Sequence, residues 1–399
     1  MDPRDPRPAN RTGGPTADDL RWLGRAHALA RRGWGQVHPN PMVGCVIVRD
    51  GELVAEGWHA RFGGPHAEVH ALERAGEAAR GATVYVTLEP CGHQGKTPPC
   101  SRALLEAGVA RVVYAAADPG AGAGGAAALA RAGVEVVGPA EPPERARRTD
   151  PAFFHWAEHG TPWIALKLAV SLDGAIAAAP GERTALSGPE AHAWVHDLRA
   201  GFDAVLVGAG TARTDDPLLT ARGEIRPRVP PRRVVLDPSA SLPPGARMLT
   251  EAEPSEVLVL AGPDAPAARL RALEAAGAEV AVVARGEGGL DLDAVTRALA
   301  ERDVRSVLVE GGARVATSLL REDRAHRLHL LVAPRALGPS AVQAFTEPLD
   351  LAVRGWEGGE PPRTLGRDVL LTYERAVPSA GGGRPAAATA ADATAVGQG

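Results

Sequence analysis

The sequence contains very little lysine and asparagine. Only Lys96 and Lys167 are lysines, so 42 of the 44 basic residues are arginine, and only Asn10 and Asn40 are asparagines. Ammonium and guanidinium groups differ in shape and hydration, so arginine cannot replace lysine at every kind of site. The few retained lysines and asparagines are therefore expected where the substitute fails, and they mark candidate functional positions.

No charge of one sign dominates the chain, and long hydrophobic runs are missing. The 44 basic and 48 acidic residues leave a net charge of -4, without the basic footprint of a nucleic-acid binder. The strongest apolar run, residues 163–170, is far shorter than the roughly 20 residues that span a bilayer. The start of the chain lacks the apolar segment of a signal peptide. We therefore expect a cytoplasmic protein that binds neither nucleic acid nor membranes.

Cysteine is also scarce, with three residues in the chain. This odd and small number argues against a disulfide framework and fits a reducing compartment. Cys45 lies inside an apolar strand pattern and is expected to be a small core residue. Cys91 and Cys100 stand beside proline, glycine and histidine instead, and these two are candidates for chemistry.

What remains is a composition suited to globular domains. The 399 residues are 45% hydrophobic, which allows two or three domain-sized cores. Residues 1–15 are rich in Pro, Arg and Gly, and residues 377–399 in Gly, Ala and Thr, so both ends are expected to be disordered. A proline-rich, charged stretch predicts a linker over 141–158, between a first unit at 16–140 and a second at 159–376.

Strands alternate with helices in both units, which predicts the α/β class. Thr16 is expected to cap a helix that ends near Gly33, and Asp50-Gly51 to form a type I′ turn between two strands. The first unit is predicted to contain strands at 43–48, 53–56, 83–88, 111–115 and 134–137, and helices at 66–79, 100–107 and 124–132. The second is predicted to contain strands near 163–170, 203–207, 232–236, 256–260, 279–283, 304–309 and 327–333.

One histidine and two cysteines of the first unit form a plausible metal site. His66 opens a predicted helix, Cys91 leaves a predicted strand, and Cys100 starts the next helix. One imidazole and two thiolates suit zinc, and three protein ligands leave a coordination position open, as in catalytic sites. Glu68, in the first helical turn, could reach a water in that position. In zinc-dependent nucleobase deaminases, a glutamate two residues after the histidine ligand carries protons.

Two other interpretations of these residues stay open. A closed structural zinc site would need a fourth ligand, for which His93 or His70 is available. Alternatively, Cys91 and Cys100 are two buried free thiols. The closed zinc site predicts a zinc-binding module that catalyses no reaction.

The second unit carries three motifs of unequal strength. Lys167 sits in a strand that runs into a Ser-x-Asp-Gly turn, and a retained lysine there favours a role near a reacting group over simple packing. The pair Gly208-x-Gly210 is weak evidence, since such pairs often mark tight turns. The stretch 306–320 is stronger: a strand, Glu310, a Gly-Gly turn and a helix, which together present backbone N–H groups to phosphates.

Taken together, these motifs resemble a known family. The segments HPNPMVGCVIV (38–48), GGPHAEVHAL (63–72) and TLEPCGHQGKTPPC (87–100) resemble the deaminase half of the bifunctional riboflavin-biosynthesis deaminase/reductase. LKLAVSLDG, VGAGTARTDDPLLTAR and LVEGGA follow in the order of its reductase half. The resemblance implies a cytidine-deaminase-like three-layer α/β/α domain and a dihydrofolate-reductase-like α/β domain. It also implies a homo-oligomer.

The resemblance also implies the two reactions and their cofactors. A zinc-dependent hydrolytic deamination of a diaminopyrimidinone that carries a phosphoribosylamino group would come first. An NADPH-dependent reduction of the ribosyl group to a ribityl chain would follow. The first site would use the zinc ligands His66, Cys91 and Cys100 and the proton carrier Glu68, with Asn40 and Lys96 near the pyrimidine and phosphate of the substrate.

For the second site, the resemblance assigns three sets of residues. The catalytic residues would be Lys167, Asp215 and Glu310. The substrate would contact Arg183, Arg199, Leu219, Arg222 and Glu310. The NADPH cofactor would lie along Val170, Ala185, Thr211, Asp215, Gly312 and Ala313.

Two departures from the family pattern accompany these expectations. Gly120 stands where the family has asparagine, and a glycine-rich loop there could offer backbone N–H groups instead. The run 183–188 reads RTALSG and lacks a tryptophan expected against the cofactor, at Ala185. The second departure motivates an alternative, in which an active deaminase is joined to a degenerate, non-catalytic reductase-like domain.

Overall fold

A computed structural model of the protein describes residues 14–93, 98–120, 122–251 and 256–376. Apart from residues 14–15, the two ends for which the sequence predicts disorder lie outside these ranges, and so does Lys96. No described helix has the length and apolar character needed to cross a membrane.

The described helices and strands alternate along most of the chain. The helices are α1 Ala17–Ala30, α2 Ala67–Ala75, α3 Cys100–Glu106, α4 Gly125–Arg131, α5 Pro143–Ala146, α6 Pro151–His159, α7 Pro189–Arg199, α8 Ala209–Asp215, α9 Arg247–Thr250, α10 Ala267–Ala275, α11 Leu292–Ala300 and α12 Ala313–Arg321. The strands of the first unit are β1 Gly44–Arg49, β2 Glu52–Trp58, β3 Thr83–Leu88, β4 Arg111–Ala116 and β5 Glu135–Val137. Those of the second are β6 Trp163–Ser171, β7 Ala175–Ala177, β8 Ala204–Gly208, β9 Arg232–Leu236, β10 Val257–Ala261, β11 Glu279–Val282, β12 Arg285–Gly286, β13 Gly289–Leu290, β14 Ser306–Val309, β15 Arg327–Ala333, β16 Val342–Gln343, β17 Trp356–Leu365 and β18 Asp368–Arg375.

The first unit is a five-stranded sheet covered by helices on both faces. Its strand order is β2-β1-β3-β4-β5, with β1 antiparallel to its neighbours and β3, β4 and β5 parallel. Helix α1 packs on one face, where Leu23 and Leu29 meet Val46 and Val48, and α2, α3 and α4 cover the other. The three-layer α/β/α architecture predicted for this unit is confirmed.

Local signals in the sequence account for the start of this unit. The Thr16 side chain accepts a hydrogen bond from Asp19 N–H, and the Asp19 carboxylate accepts one from Thr16 N–H, so both caps of a capping box are present. Asp50 and Gly51 both have positive φ, at 53° and 81°, as the predicted type I′ turn requires. Both predictions are confirmed.

The stretch 141–158, predicted to be a linker, is helical and packed against the first unit. It forms α5 and most of α6, and Phe154 is buried in the core beneath α1. Asp150 caps α6 by accepting from Phe153 N–H, and its second oxygen accepts from Met42 N–H at 2.8 Å. The proline and charge content of this stretch is the reason that the sequence predicts a linker. Proline at a first helical position, however, favours helix starts, and the carboxylate of Asp150 has buried donors to bind.

The second unit is built on a nine-stranded sheet. The order is β11-β10-β9-β8-β14-β6-β15-β18-β17. The first seven strands are parallel, and β18 and β17 add an antiparallel edge. The main core lies between one face of this sheet and helices α11 and α12. This arrangement confirms the predicted α/β class.

The sequence-based prediction missed the antiparallel edge. Strand β17 reads WEGGEPPRTL, and its glycines and prolines hide the strand pattern. Proline is tolerated there because β17 is the last strand of the sheet and its outer N–H groups need no partner. Every strand that was predicted is present, with ends within two residues of the predicted bounds.

Gly57 on β2 allows α2 to lie directly against the sheet. A Cβ atom at position 57 would lie 2.3 Å from the carbonyl oxygen of Ala67 and 2.5 Å from Ala71 N. We expect Gly57→Ala to lower the free energy of unfolding by about 1–3 kcal/mol, because α2 must shift away from the sheet. Denaturant unfolding measures this change.

Gly24→Ala is the matched control for this prediction. Gly24 lies within α1, and a Cβ atom there would meet nothing within 4 Å. Alanine favours a helix interior over glycine, so the free energy of unfolding should rise by about 0.5–1 kcal/mol. Equal stability of Gly57→Ala and the unchanged protein would contradict the close approach of α2.

Candidate active sites

The first site gathers one histidine and two cysteines from three separate elements. His66 is the N-cap of α2, Cys91 follows β3, and Cys100 is the first residue of α3. His66 Nδ1 lies 3.1 Å from Cys100 Sγ and 3.7 Å from Cys91 Sγ, and the three donor atoms lie within 4.8 Å of one another. The structure therefore brings together the three residues predicted from the sequence.

Close backbone packing fixes the segment that carries Cys91. A Cβ atom on Gly125 would lie 1.9 Å from Pro90 O, so the start of α4 lies directly on this segment. The Glu89 carboxylate accepts hydrogen bonds from Gly124 N–H and Ala126 N–H, at 2.9 and 3.2 Å. Glycine is required here because any side chain would push α4 off the segment.

Glu68 is buried beside the three donor atoms. Only 3% of its surface is exposed, and this burial raises the pKa of its carboxyl to about 7. A carboxyl with such a pKa can both take and release a proton near neutral pH. In the structure, Glu68 hydrogen-bonds with Cys100 and lies near His66 and Cys91, next to the candidate metal site.

The two thiols share a hydrogen bond, and Cys91 is the more acidic. Hydrogen bonding from Cys100 Sγ, from His66 and from the Cys100 backbone N–H lowers the pKa of Cys91. The pKa of Cys100 is raised, first by this bond to Cys91 and then by burial. The thiolate form of Cys91 is therefore favoured even without a metal. A bound metal would favour the thiolate form of Cys100 as well, because the thiolate is the form that binds metals.

The donor set fits zinc. One imidazole nitrogen and two sulfur atoms are its preferred ligands, and three protein ligands leave one position free for water or substrate. Among the described residues, the metal-ligating group consists of His66, Cys91 and Cys100 and no fourth side chain. His70, an alternative fourth ligand, turns its Nδ1 to the backbone of Trp58 at 2.9 Å instead. Within the described residues, this geometry favours an open site over a closed structural one.

Cys45 is a core residue, as predicted. It lies on β1 with no exposed surface, packed among the apolar side chains under α2. Burial raises the pKa of its thiol. Cys45 is therefore not available as a ligand.

Asn40 lies near the first site. A histidine that the sequence analysis missed connects Asn40 to that site. Asn40 Nδ2 is 3.3 Å from His59 Nε2, and the His59 ring stands edge-to-face against His66 at 5.7 Å. His59 Nδ1 lies 3.0 Å from Pro65 O, which ties it to the start of α2. His59 directly follows β2 and lies only seven residues before His66, but no motif in the sequence marks it.

The loop around Gly120 uses its backbone internally. Gly120 N–H donates to Asp118 Oδ1 at 2.8 Å, and Gly92 N–H donates to Gly122 O at 3.0 Å. The N–H of Gly120 is thus bound within the loop rather than presented to a ligand. Lys96, predicted near the substrate phosphate, lies outside the described residues.

The second site is a cleft of about 1260 Å³ at the carboxyl ends of the parallel strands β6, β14, β8 and β9. Ligands of open α/β sheets bind at this edge. Eleven of the twelve residues predicted for the second site line it: Lys167, Arg183, Ala185, Arg199, Thr211, Asp215, Leu219, Arg222, Glu310, Gly312 and Ala313.

Val170 is the predicted residue that does not line the cleft. Its side chain is 4% exposed and packs in the core with Leu166 and Leu168. Successive side chains of a strand point to opposite faces, so Val170 faces away from Lys167. A contact of this side chain with a cofactor is therefore not supported.

A charged group lies at the centre of the cleft. Glu310 Oε1 accepts from Arg199 Nε at 2.6 Å, Oε2 accepts from Arg199 Nη2 at 3.0 Å, and Lys167 Nζ lies 3.5 Å from Oε2. Burial alone would raise the pKa of Glu310, but Arg199 and Lys167 outweigh it and lower this pKa to about 2. Glu310 is therefore a carboxylate that holds both cations in place.

Two helix starts meet next to this group. Glu310 follows β14, and Gly312 is the N-cap of α12. A Cβ atom on Gly312 would lie 3.2 Å from Thr211 Oγ1, so α8 and α12 begin side by side. Free N–H groups at such starts attract phosphates, in agreement with the predicted cofactor contacts of Thr211, Gly312 and Ala313.

The remaining predicted residues surround the charged group. Asp215 and Arg183 both line the cleft, and burial raises the pKa of Asp215 while the positive charge of Arg183 acts against this. Leu219 is 3% exposed with a positive φ of 54°. Arg335 and Arg367 donate to the carbonyl oxygens of Ala185 and Leu186, at 2.7 and 3.1 Å. These two arginines hold the loop that lacks the family's tryptophan.

His196 is a cleft residue that the sequence analysis missed. It lies one turn before Arg199 on α7, and its Nδ1 is 3.0 Å from Thr220 O. Arg199 Nη1 donates to the same oxygen at 3.0 Å. The spacing of three residues on one helix was the available signal for a shared face.

Two family descriptions match the chain, one in each unit. The cytidine and deoxycytidylate deaminase zinc-binding region matches residues 16–116. The RibD C-terminal domain matches residues 162–356. The first range contains every residue predicted for the first site, and the second range contains every residue predicted for the second site.

Full-length relatives and solved structures are similar to nearly the whole chain. The riboflavin biosynthesis protein RibD of Aquifex aeolicus is 36% identical over 365 residues, which cover 90% of this chain and 98% of the relative. RibD of Escherichia coli is 39% identical, with coverage of 83% and 91%. The structure of Acinetobacter baumannii RibD is 35% identical, with a TM-score of 0.76 and coverage of 90% and 99%. A deaminase/reductase from Thermotoga maritima has a TM-score of 0.74 at 32% identity, with coverage of 90% and 99%.

Proposed function

This chain belongs to the RibD family of riboflavin-biosynthesis proteins, and from that premise we propose which of its residues perform the two reactions. It is a bifunctional enzyme, with a zinc-dependent deaminase and an NADPH-dependent reductase. The substrate that we propose is a diaminopyrimidinone with a phosphoribosylamino group, since the Thermotoga maritima relative is described as acting on such compounds. Deamination would precede reduction of the ribosyl group to a ribityl chain.

In the deaminase, water replaces a ring amino group, which leaves as ammonia. Zinc, which His66, Cys91 and Cys100 would hold, supplies Lewis-acid activation of water. Glu68 takes a proton from the water and gives it to the leaving nitrogen, a role that its buried carboxyl suits with a pKa of about 7. Asn40, beside His59, is placed to bind the pyrimidine. We retain Lys96 as a phosphate-binding candidate from the resemblance.

In the reductase, the ribose ring opens, its anomeric carbon is reduced, and its ring oxygen takes up a proton. NADPH supplies the hydride. Lys167, held by Glu310, is placed to donate the proton to that oxygen. Arg199 and Arg222 carry positive charge on the substrate side, where Arg222 would bind the phosphate. Asp215 lines the cleft together with Arg183 and would orient the ribose hydroxyls.

The observation that carries this proposal is that one chain contains the side chains of both candidate sites. The three metal donors and Glu68 lie together in the first unit, and Lys167, Glu310 and Arg199 lie together in the second. The alternative of a degenerate reductase has no support beyond the altered run 183–188. The alternative of a structural zinc module needs a fourth ligand, and none of the described residues supplies one.

Metal substitution and cofactor titration test the two halves separately in the full chain. The cobalt-substituted protein should show an absorption spectrum of two thiolates and one imidazole with an exchangeable water. A spectrum of four protein ligands would reject the catalytic assignment of the first site. NADPH fluorescence should saturate and then decay when the deaminated compound is added. Saturation without turnover would instead support the degenerate alternative.

Other expectations from the sequence stay predictions. These are a homo-oligomeric state, a cytoplasmic location and the absence of nucleic-acid partners. The preference for NADPH over NADH is proposed from the family alone.

A further inference from the structure

The segment 220–228 leaves the reductase cleft and ends on the deaminase unit. We refer to it as the bridging segment. Its start is tied to α7: Arg199 Nη1 donates to Thr220 O at 3.0 Å, and Ile225 N–H donates to Asp197 Oδ1 at 2.9 Å. Gly223 permits this contact, because a Cβ atom there would lie 2.0 Å from Asp197 Oδ1. The reductase end of the bridging segment is therefore fixed by hydrogen bonds between its backbone and the side chains of Arg199 and Asp197.

The other end of the bridging segment binds a loop of the deaminase unit. Arg228 N–H donates to Gly35 O at 2.8 Å, and its guanidinium Nη2 donates to His38 O at 2.5 Å. The same guanidinium lies over the Phe62 ring, 4.7 Å from its centroid. Gln36 returns a hydrogen bond from its side-chain amide to Arg226 O. Arg228 thus contacts the loop at two carbonyl groups and also packs on Phe62, which lies outside this loop.

This deaminase loop, residues 34–42, carries Asn40. It contains neither helix nor strand, so its conformation depends on contacts with its surroundings. Asn40 N–H donates to Val37 O at 2.9 Å, and Asn40 Nδ2 reaches His59, which stands against His66. The carbonyl that Arg228 binds, at His38, lies two residues before Asn40. The bridging segment therefore supports the loop next to the metal site.

We propose that Arg228, a residue of the reductase unit, is a positioning residue of the deaminase. By holding the carbonyl oxygens of Gly35 and His38, it sets the conformation in which Asn40 meets the pyrimidine. This inference rests on the proposed role of Asn40 in substrate binding. A hydrogen bond from a charged donor is worth more than a neutral one, so its loss should release the loop. The deaminase site is thus completed by the second unit of the same chain.

The fold does not depend on Arg228, because the ends of the loop have other anchors. Trp34 Nε1 donates to Asp197 O at 2.9 Å, and Met42 N–H donates to the buried Asp150 carboxylate at 2.8 Å. A change at Arg228 therefore affects the middle of the loop, where Asn40 lies, and leaves its ends in place.

Steady-state kinetics of the full-length, zinc-loaded Arg228→Ala variant tests the proposal. We expect the deaminase KM for the diaminopyrimidinone phosphate to rise roughly tenfold, as the loss of one charged hydrogen bond predicts, with kcat within about twofold. Arg228→Lys keeps a cationic donor and should restore most of the KM. Zinc content and reductase kinetics on the deaminated compound should stay unchanged.

Arg226→Ala is the matched control. Within the described part of the chain, Arg226 contacts the loop through its backbone carbonyl, which this substitution keeps, so its KM should stay unchanged. An unchanged KM in Arg228→Ala, or a lysine variant as weak as alanine, would overturn the proposal. Should Arg228→Ala not fold, Gln36→Ala removes the reciprocal bond and must raise the KM. Absence of deamination in the unchanged enzyme would instead count against the proposed function.

Discussion

Replacement of Glu68 by glutamine is expected to abolish deamination while the enzyme still reduces the deaminated compound. The substitution keeps the shape of the side chain but removes its capacity to carry a proton. General acid–base catalysis contributes about 10²–10⁴-fold, so deaminase kcat should fall by at least about a thousandfold. Product analysis of both half-reactions measures this effect, and metal analysis should show that zinc is retained.

Glu73→Gln is the control for this experiment. Glu73 lies on the same helix, α2, and is exposed on its outer face, so deamination should stay unchanged. If Glu68→Gln still deaminates at the normal rate with zinc bound, Glu68 does not carry the proton. If it loses zinc, the assignment of Glu68 as a residue that only moves protons is wrong.

Glu310→Gln is expected to have the complementary effect and to abolish reduction. Glu310 is the carboxylate between Arg199 and Lys167, and glutamine leaves these two cations without a negative partner. We expect reductase kcat/KM to fall at least about a hundredfold, because Lys167 is no longer held toward the ribose. The free energy of unfolding should also fall by about 3 kcal/mol, the typical cost of breaking a buried ion pair. Stopped-flow NADPH oxidation and denaturant unfolding measure the two effects.

Lys167→Arg separates charge from shape at the same site. The variant keeps a cation near Glu310, and yet guanidinium is planar, more bulky and a poorer proton donor than ammonium. Reduction should therefore remain strongly impaired while deamination is normal. Full reductase activity with arginine would show that this rare lysine was not retained for its chemistry.

Of the rare lysines and asparagines, the two that the structure describes lie at the two candidate sites. Lys167 lies in the charged group of the reductase, and Asn40 lies next to the deaminase metal site. The location of the second site was also predictable, because residues that follow parallel strands lie at the same edge of a sheet.

Contacts between segments that are distant in the sequence could not be predicted from local sequence patterns. Nothing local indicates that Arg228 reaches the loop of Asn40 across 190 residues of chain. His59 is close to His66 in the sequence and stands against it, but no motif marks it. The orientation of Val170 was available from strand alternation but was overridden by the resemblance. The stretch 141–158 has the composition of a linker, and its helices are stabilised by tertiary partners such as Met42 that no local window contains.

The most direct test of the account is a coupled assay of the unchanged, zinc-loaded chain on the diaminopyrimidinone phosphate, with products followed by mass spectrometry. Without NADPH, the deaminated compound should accumulate with its ribosyl group intact. With NADPH, the ribityl compound should appear, and NADPH should be oxidised in equal amount. If the substrate keeps its amino group, or if the supplied deaminated compound leaves NADPH unoxidised, the claim of two active sites in this chain is contradicted.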